Sequence, residues 1–153
     1  MIALKRILVA TDFSECSETA VKYARELAWT FGSTVHILHV IPSPYAQGWS
    51  VETYSAPTGN LLEQWDREAR ARLEATVPEA EREQVVLATR IGTPHQAILD
   101  YAADAAVDLV VIGTHGRGPI GHILIGSVAE RVVRKAPCPV LTVHHPEHEF
   151  VAA

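Results

Sequence analysis

The feature that most constrains the fold of this chain is a regular alternation of short apolar runs with longer segments of helical periodicity. The apolar runs are rich in β-branched residues and of strand length, and they occupy residues 4–10, 34–41, 84–91, 107–112 and 139–143. Helical periodicity occupies residues 14–31, the segment from 60 to Pro78, and the segments that begin at 94 and 127. Residues 42–59 are rich in turn formers and are predicted to be mobile. The alternation predicts an α/β domain with a doubly wound, parallel five-stranded sheet covered by helices on both faces.

Capping signals mark the ends of the predicted helices. Gly32 is the expected stop of the first helix. Asn60 with Glu63 predicts a capped start for the second helix, and Thr93 with Gln96 predicts a capping box around the N1 proline of the third. The predicted buried stripe of the first helix comprises Ala20, Val21, Ala24, Leu27, Ala28 and Phe31.

The connection from the fourth strand to the fourth helix has the pattern of a phosphate cradle. It reads Gly113-Thr-His-Gly116, nine residues, then Gly126-Ser127. Glycines let backbone N–H groups approach an anion, and a helix N-terminus adds a positive dipole end. Ser127 with Glu130 predicts a capping box there. The alternative is that each glycine serves an ordinary turn and that Ser127 is an ordinary N-cap.

Two common phosphate motifs do not fit this connection. The run from Gly116 to Gly121 has the glycine spacing of a dinucleotide fingerprint, but it does not open the helix directly. The run from Gly121 to Ser127 has P-loop spacing, yet Ser127 stands where that loop has its lysine. A P-loop NTPase is therefore not indicated.

The same glycine pattern, continued by residues 128–143, resembles the nucleotide-binding branch of the universal stress protein family. The resemblance extends to the first strand with Asp12 and to His39-Val40 at the end of the second strand. It implies a Rossmann-like sheet of strand order 3-2-1-4-5, in which the carboxyl ends of strands one and four are adjacent. The expected domain spans residues 1–146, followed by a tail at 147–153.

The resemblance also implies a binding site for ATP, ADP or AMP, with Mg²⁺ as a possible companion of ATP and no catalytic residue. Ala10, Thr11, Asp12 and Val40 would border adenine and ribose. The residues expected around ribose and phosphates are Gly113, Thr114, His115, Gly116, Arg117, Gly126, Ser127 and Val128. Asp12 has the alternative role of an acidic residue at a helix start, and Val40 that of a core residue.

Composition sets further expectations. The chain has 153 residues and a formal net charge of −5, which does not favour a nucleic acid or an anionic membrane as partner. It contains no run near the ~20 apolar residues of a membrane span, so we expect a cytoplasmic protein. No metal site is predicted: His144, His145 and His148 follow the last strand in an expected frayed tail, and His36 and His39 face opposite sides of a strand.

Three functional classes follow. The first is a nucleotide-binding regulatory or stress-response protein. The second is a slow ATPase or phosphoryl-transfer enzyme, for which Asp12 and Ser127 are the available candidates and no loop lysine is present. The third is a nucleotide-free dimeric interaction module. A homodimer through the last strand is expected, since Pro137 and Pro139 suit a sheet edge that an apolar strand would otherwise leave unpaired.

Overall fold

The structure, a computed structural model, describes residues 1–43, 59–115 and 125–144. In chain order the strands are β1 (Arg6–Ala10), β2 (Thr34–Pro42), β3 (Val85–Gly92), β4 (Leu109–Gly113) and β5 (Val140–Val143). The helices are α1 (Glu15–Phe31), α2 (Gly59–Thr76), α3 (Pro94–Asp104) and α4 (Ser127–Lys135), with a short 3₁₀ helix at Glu79–Gln84. The turn-rich prediction for 42–59 and the predicted tail at 147–153 fall almost entirely outside the described residues.

The five strands form one parallel sheet of order β3-β2-β1-β4-β5. This confirms the predicted sheet and its strand order. The register pairs Ala10 with Leu38 and Val9 with Val111, so β1 lies between β2 and β4 at the centre of the sheet. β3 and β5 are the edge strands.

Alternation along β1 divides the apolar core between the two faces of the sheet. Ile7 and Val9 pack with α1 and α2, whereas Leu8 packs with α3 and α4. Successive side chains of a strand point to opposite faces, so a central strand covered on both sides is apolar throughout. All three of these side chains are fully buried.

Helix α1 has a capping residue at each end. Ser14 is its N-cap and accepts a hydrogen bond from the Ser17 N–H, and Gly32 ends it in the left-handed conformation with φ of 64°. The predicted buried stripe holds through Ala28, but Phe31 is 48% exposed. Phe31 is the last residue of the helix, beyond the last buried residue of α1.

The predicted starts of α2 and α3 differ in detail from those observed. Asn60 lies inside α2 rather than capping it. Thr93 is the N-cap of α3 by position, but its side chain makes no capping hydrogen bond, and the Gln96 side chain donates to Asp100 at 2.8 Å instead. The capping boxes predicted for α2 and α3 were therefore wrong, while the N1 proline of α3 is confirmed.

Candidate functional site

The carboxyl end of β1 turns directly into the N-terminus of α1. Ala10 ends the strand, and Thr11 is buried, with its N–H donating to Leu38 O at 2.9 Å and its hydroxyl 3.1 Å from Ser17 Oγ. Asp12 is half-buried and its Oδ1 accepts a hydrogen bond from the Ser14 N–H at 3.0 Å. The Asp12 carboxylate therefore stands at the positive end of α1, where a negative charge is stabilised.

Val40 lies at the same edge, on the neighbouring strand. It is two residues beyond Leu38, whose register partner Ala10 is the last residue of β1. Its side chain is 9% exposed and belongs to the core beneath α3 and α4. The structure thus supports the core role of this side chain, and β2 continues beyond the expected end at His39-Val40 to Pro42, paired with β3.

At the end of β4, Gly113 is required by packing. A Cβ at this position would lie 2.9 Å from Cys16 Sγ and 3.1 Å from the Cys16 backbone carbonyl group. Real Cβ atoms do not approach other atoms so closely, and therefore a glycine lets the first turn of α1 pack against β4. The close packing of α1 against β4 is sufficient to explain the glycine at position 113.

Thr114, next in the chain, connects β4 to β5. It is 2% exposed, and its N–H donates to Val143 O at 2.9 Å. Its hydroxyl lies 3.0 Å from His115 Nδ1 and 3.1 Å from His144 Nδ1. His144 is therefore bound to the end of β4 rather than part of a frayed tail, while His145 and His148 lie outside the described residues.

Gly126 joins the N-terminus of α4 to the end of β4. It is the N-cap residue of α4, and its N–H donates to Thr114 O at 2.5 Å. A Cβ on Gly126 would lie 3.0 Å from the same carbonyl oxygen. Because glycine has no side chain, the N-cap offers no acceptor to the first-turn N–H groups of α4.

Ser127 is the first helical residue of α4 and is exposed, and Val128 is half-buried against the core. The predicted capping box of Ser127 with Glu130 was wrong, because the N-cap position belongs to Gly126. Glu130 pairs instead with Arg134, at 2.9 Å. Ser127 lies in the first turn of α4, at the helix end where anions are favoured.

Two cationic residues of α4, Arg131 and Lys135, lie near His95. Arg131 Nη1 lies 3.4 Å from His95 Nδ1 in the first turn of α3. Burial and then the charges of Arg131 and Lys135 lower the pKa of His95, because each disfavours the imidazolium form. The first turn of α3 therefore lies beside the middle and the C-terminal part of α4, near the positive charges of Arg131 and Lys135.

The described part of the predicted site comes together at one sheet edge. β1 and β4 are adjacent and parallel, so Asp12 and the residues after Gly113 leave the sheet side by side. In doubly wound folds this crevice, where strand order reverses, is where ligands bind. Gly116 and Arg117 lie outside the described residues. Within the described ranges, no group of three or more His, Cys, Asp or Glu side chains could hold a metal ion.

Sequence reasoning missed Phe13 at this edge. Its backbone is left-handed, with φ of 62°, and its ring contacts both His39 and Arg72. The pattern Asp12-Phe-Ser14 gives no local signal for this conformation, since a bulky residue rarely adopts it.

The universal stress protein family model matches residues 3–144. The chain belongs to the universal stress protein family. It is 35% identical over 148 residues to universal stress protein MJ0531 of Methanocaldococcus jannaschii, covering 95% of this chain and 85% of that one. Its fold is similar to that of MJ0577 from the same organism, with a TM-score of 0.77 at 30% identity, over 98% of this chain and 100% of that one.

A further solved relative is a universal stress protein in complex with cAMP. The likeness has a TM-score of 0.60 at 27% identity and covers 94% of this chain and 98% of that one. Among the helices that the structure describes in this family member, none is long and apolar enough to cross a membrane.

Proposed function

We propose that this universal stress protein binds an adenine nucleotide, ATP, ADP or AMP, in the crevice between β1 and β4 and acts as a regulatory or stress-response module. The observation that carries the proposal is the meeting of the Asp12 carboxylate, the end of β4 and the N-terminus of α4, whose N-cap glycine has no side chain, at one sheet edge. The cAMP complex of a 27% identical relative supports an adenine nucleotide as the ligand class.

The residues present fit such a ligand. Asp12 offers a carboxylate acceptor to ribose hydroxyls or base N–H groups, beside the backbone of Ala10 and Thr11 and with Val40 on the neighbouring strand β2. On the β4 side, the first-turn N–H groups of α4 and the Ser127 hydroxyl are donors suited to phosphate oxygens. The proposed phosphate-side contacts remain Gly113, Thr114, His115, Gly116, Arg117, Gly126, Ser127 and Val128.

The donor set suits binding better than rapid turnover. Phosphoryl transfer needs charge stabilisation on the transferred group, commonly from a lysine, an arginine or bound magnesium. Residues 113–128 contain no lysine, and Ser127 stands where a P-loop has its phosphate-binding lysine, so Arg117 and the Mg²⁺ that accompanies ATP would be the only sources of such charge in this segment. We therefore propose a nucleotide-holding protein, with Mg²⁺ as an accompanying ion of ATP and not a resident of a protein metal site.

We further propose a homodimer in the cytoplasm. β5 is an edge strand, and Leu141 on it is 36% exposed. An unpaired strand edge with an exposed apolar side chain is an aggregation hazard unless it is covered, and self-pairing covers it. Sedimentation of the purified protein tests this part of the proposal, since a monomer at all concentrations would contradict it.

The nucleotide itself is tested by mass spectrometry of the small molecules released when freshly purified protein is denatured, followed by calorimetric titration with the compound found. We expect an adenine nucleotide near one per chain. No released nucleotide, together with no heat on titration with ATP, ADP or AMP, would contradict the proposal and favour the nucleotide-free interaction module.

A further inference from the structure

Phe13 occupies a backbone conformation that its side chain disfavours. It directly follows Asp12, and its φ of 62° makes it one of two non-glycine residues with positive φ in the described ranges. Such a conformation is unfavourable for a bulky residue and persists when surrounding contacts enforce it. The strained residue is therefore placed directly beside the carboxylate proposed to bind nucleotide.

The contacts that enforce it come from both the backbone and the ring. The Phe13 N–H donates to Thr11 Oγ1 at 3.0 Å, which closes a tight turn around Asp12. The Phe13 ring centroid lies 4.5 Å from that of His39, and the Arg72 guanidinium carbon lies 4.0 Å from it. His39 in turn donates from Nδ1 to Thr11 O at 2.8 Å.

Arg72 is the contact that joins this turn to a distant part of the fold. It is an exposed residue of α2, on the opposite side of the sheet from α4. A guanidinium group over an aromatic face is attracted by the ring quadrupole. The attraction favours the conformation in which the ring lies under Arg72, which is the left-handed conformation of Phe13.

We propose that Arg72, acting through the Phe13 ring, positions the Asp12 carboxylate and thereby sets the affinity for adenine nucleotides. Arg72 is a positioning residue that does not itself touch the nucleotide. This inference rests on the proposed function, because it assigns a determinant to the same nucleotide site.

The first test compares Arg72→Met with Arg67→Met, a matched charge removal at an exposed residue of the same helix. Calorimetric titration is done with ATP and with tripolyphosphate, which lacks the parts of ATP that Asp12 would contact. We expect Arg72→Met to lower the affinity for ATP by roughly threefold to tenfold, because the substitution removes one cation–π contact. We expect tripolyphosphate binding to change only as much as in Arg67→Met, and Arg72→Lys to retain most of the ATP affinity.

The second test uses a variant in which the left-handed conformation at position 13 no longer depends on contacts of the Phe13 ring. Phe13→Gly adopts positive φ without the Cβ penalty, so the turn no longer depends on Arg72. In the Phe13→Gly background we expect Arg72→Met to leave ATP affinity unchanged. An equal loss in both backgrounds, or an equal loss for ATP and tripolyphosphate, would show that Arg72 acts by charge alone and would overturn the positioning role.

The failures of the two proposals are distinguishable. Wild-type protein that binds no ATP would overturn the nucleotide proposal and this one with it. If the wild type binds ATP and Arg72→Met binds it equally tightly, only the positioning role of Arg72 is overturned.

Discussion

Substituting Gly113 by alanine separates a packing role from a ligand role at the most prominent glycine of the β4 end. The added Cβ would meet Cys16 Sγ at 2.9 Å, a contact that a rotation of the thiol could relieve. It would also meet the Cys16 backbone carbonyl group at 3.1 Å, which could be relieved only by moving α1 away from β4. The direction of the Cβ is toward α1 and the core.

The expected cost follows from these two contacts. Inserting a methyl group into a packed interior typically costs about 1–3 kcal/mol, and the backbone contact places Gly113→Ala within that range. Removing the thiol in Cys16→Ala should recover part of the cost and not all of it, because the carbonyl contact remains. A coupling of about 0.5–1.5 kcal/mol between the two positions is expected, as is usual for residues in contact.

The assay is urea denaturation of the wild type, both single variants and the double variant. Strict additivity, or a Gly113→Ala variant as stable as the wild type, would refute the close approach of α1 to β4. Nucleotide titration of the same four proteins adds a second readout. Since the Cβ points at Cys16, we expect a change in nucleotide affinity smaller than about threefold, well below the change in the folding equilibrium.

Three further outcomes are expected. Asp12→Ala should weaken the binding of adenine nucleotides by about 1.5–3 kcal/mol, the value of a hydrogen bond to a charged group, and leave tripolyphosphate binding unchanged in calorimetry. Equal weakening of both ligands would assign Asp12 a general electrostatic effect. Ser127→Ala should lower ATP affinity more than any hydrolysis rate in single-turnover assays, and phosphate release near one per second that collapses in this variant would make the protein an ATPase. Hydrogen bonds from the Thr89 hydroxyl and from Arg70 hold the pKa of Asp66 below its ordinary value, so its contribution to stability is present above about pH 4 and is lost as the pH falls through the lowered pKa. Denaturant unfolding measured as the pH falls from about 4 should show this loss of stability in the wild type and a smaller loss in Thr89→Val. Identical pH profiles for the two proteins would contradict the role of the Thr89 hydrogen bond.

The layered architecture was predictable because each element carries its own periodicity. Alternation of strand and helix periods specified both the parallel sheet and the covering of both its faces. The strand order came from the family resemblance, since period and composition alone do not determine which strands are neighbours. Ser14 and Gly32 were predictable as helix boundaries because each acts through backbone bonds within a few residues.

Features set by contacts between distant segments were not predictable. The Thr114 hydroxyl forms a hydrogen bond with His144 because β5 lies beside β4, and the sequence near either residue does not predict this contact. Gln96 has two partners within reach, the helix start and Asp100, and the choice depends on small energy differences. The ring contacts of Phe13 with His39 and Arg72 exist only in the folded arrangement of β2 and α2, so the sequence near Phe13 gives no signal for its left-handed conformation.

The glycines at the proposed site serve the fold first, and this determines where function can be tested. At Gly113 the absent side chain lets α1 reach β4, and at Gly126 it lets the N-terminus of α4 reach the Thr114 carbonyl. Gly126→Val is therefore a poor probe of phosphate binding, because its Cβ would lie 3.0 Å from that carbonyl oxygen and would disturb the approach itself. The close approach at Gly126 carries the N-terminus of α4 to the sheet edge, so packing and the donor arrangement are inseparable at this glycine. The packing role and the ligand role separate at Ser127, whose side chain is exposed, so a substitution there reports on the ligand with least effect on the fold.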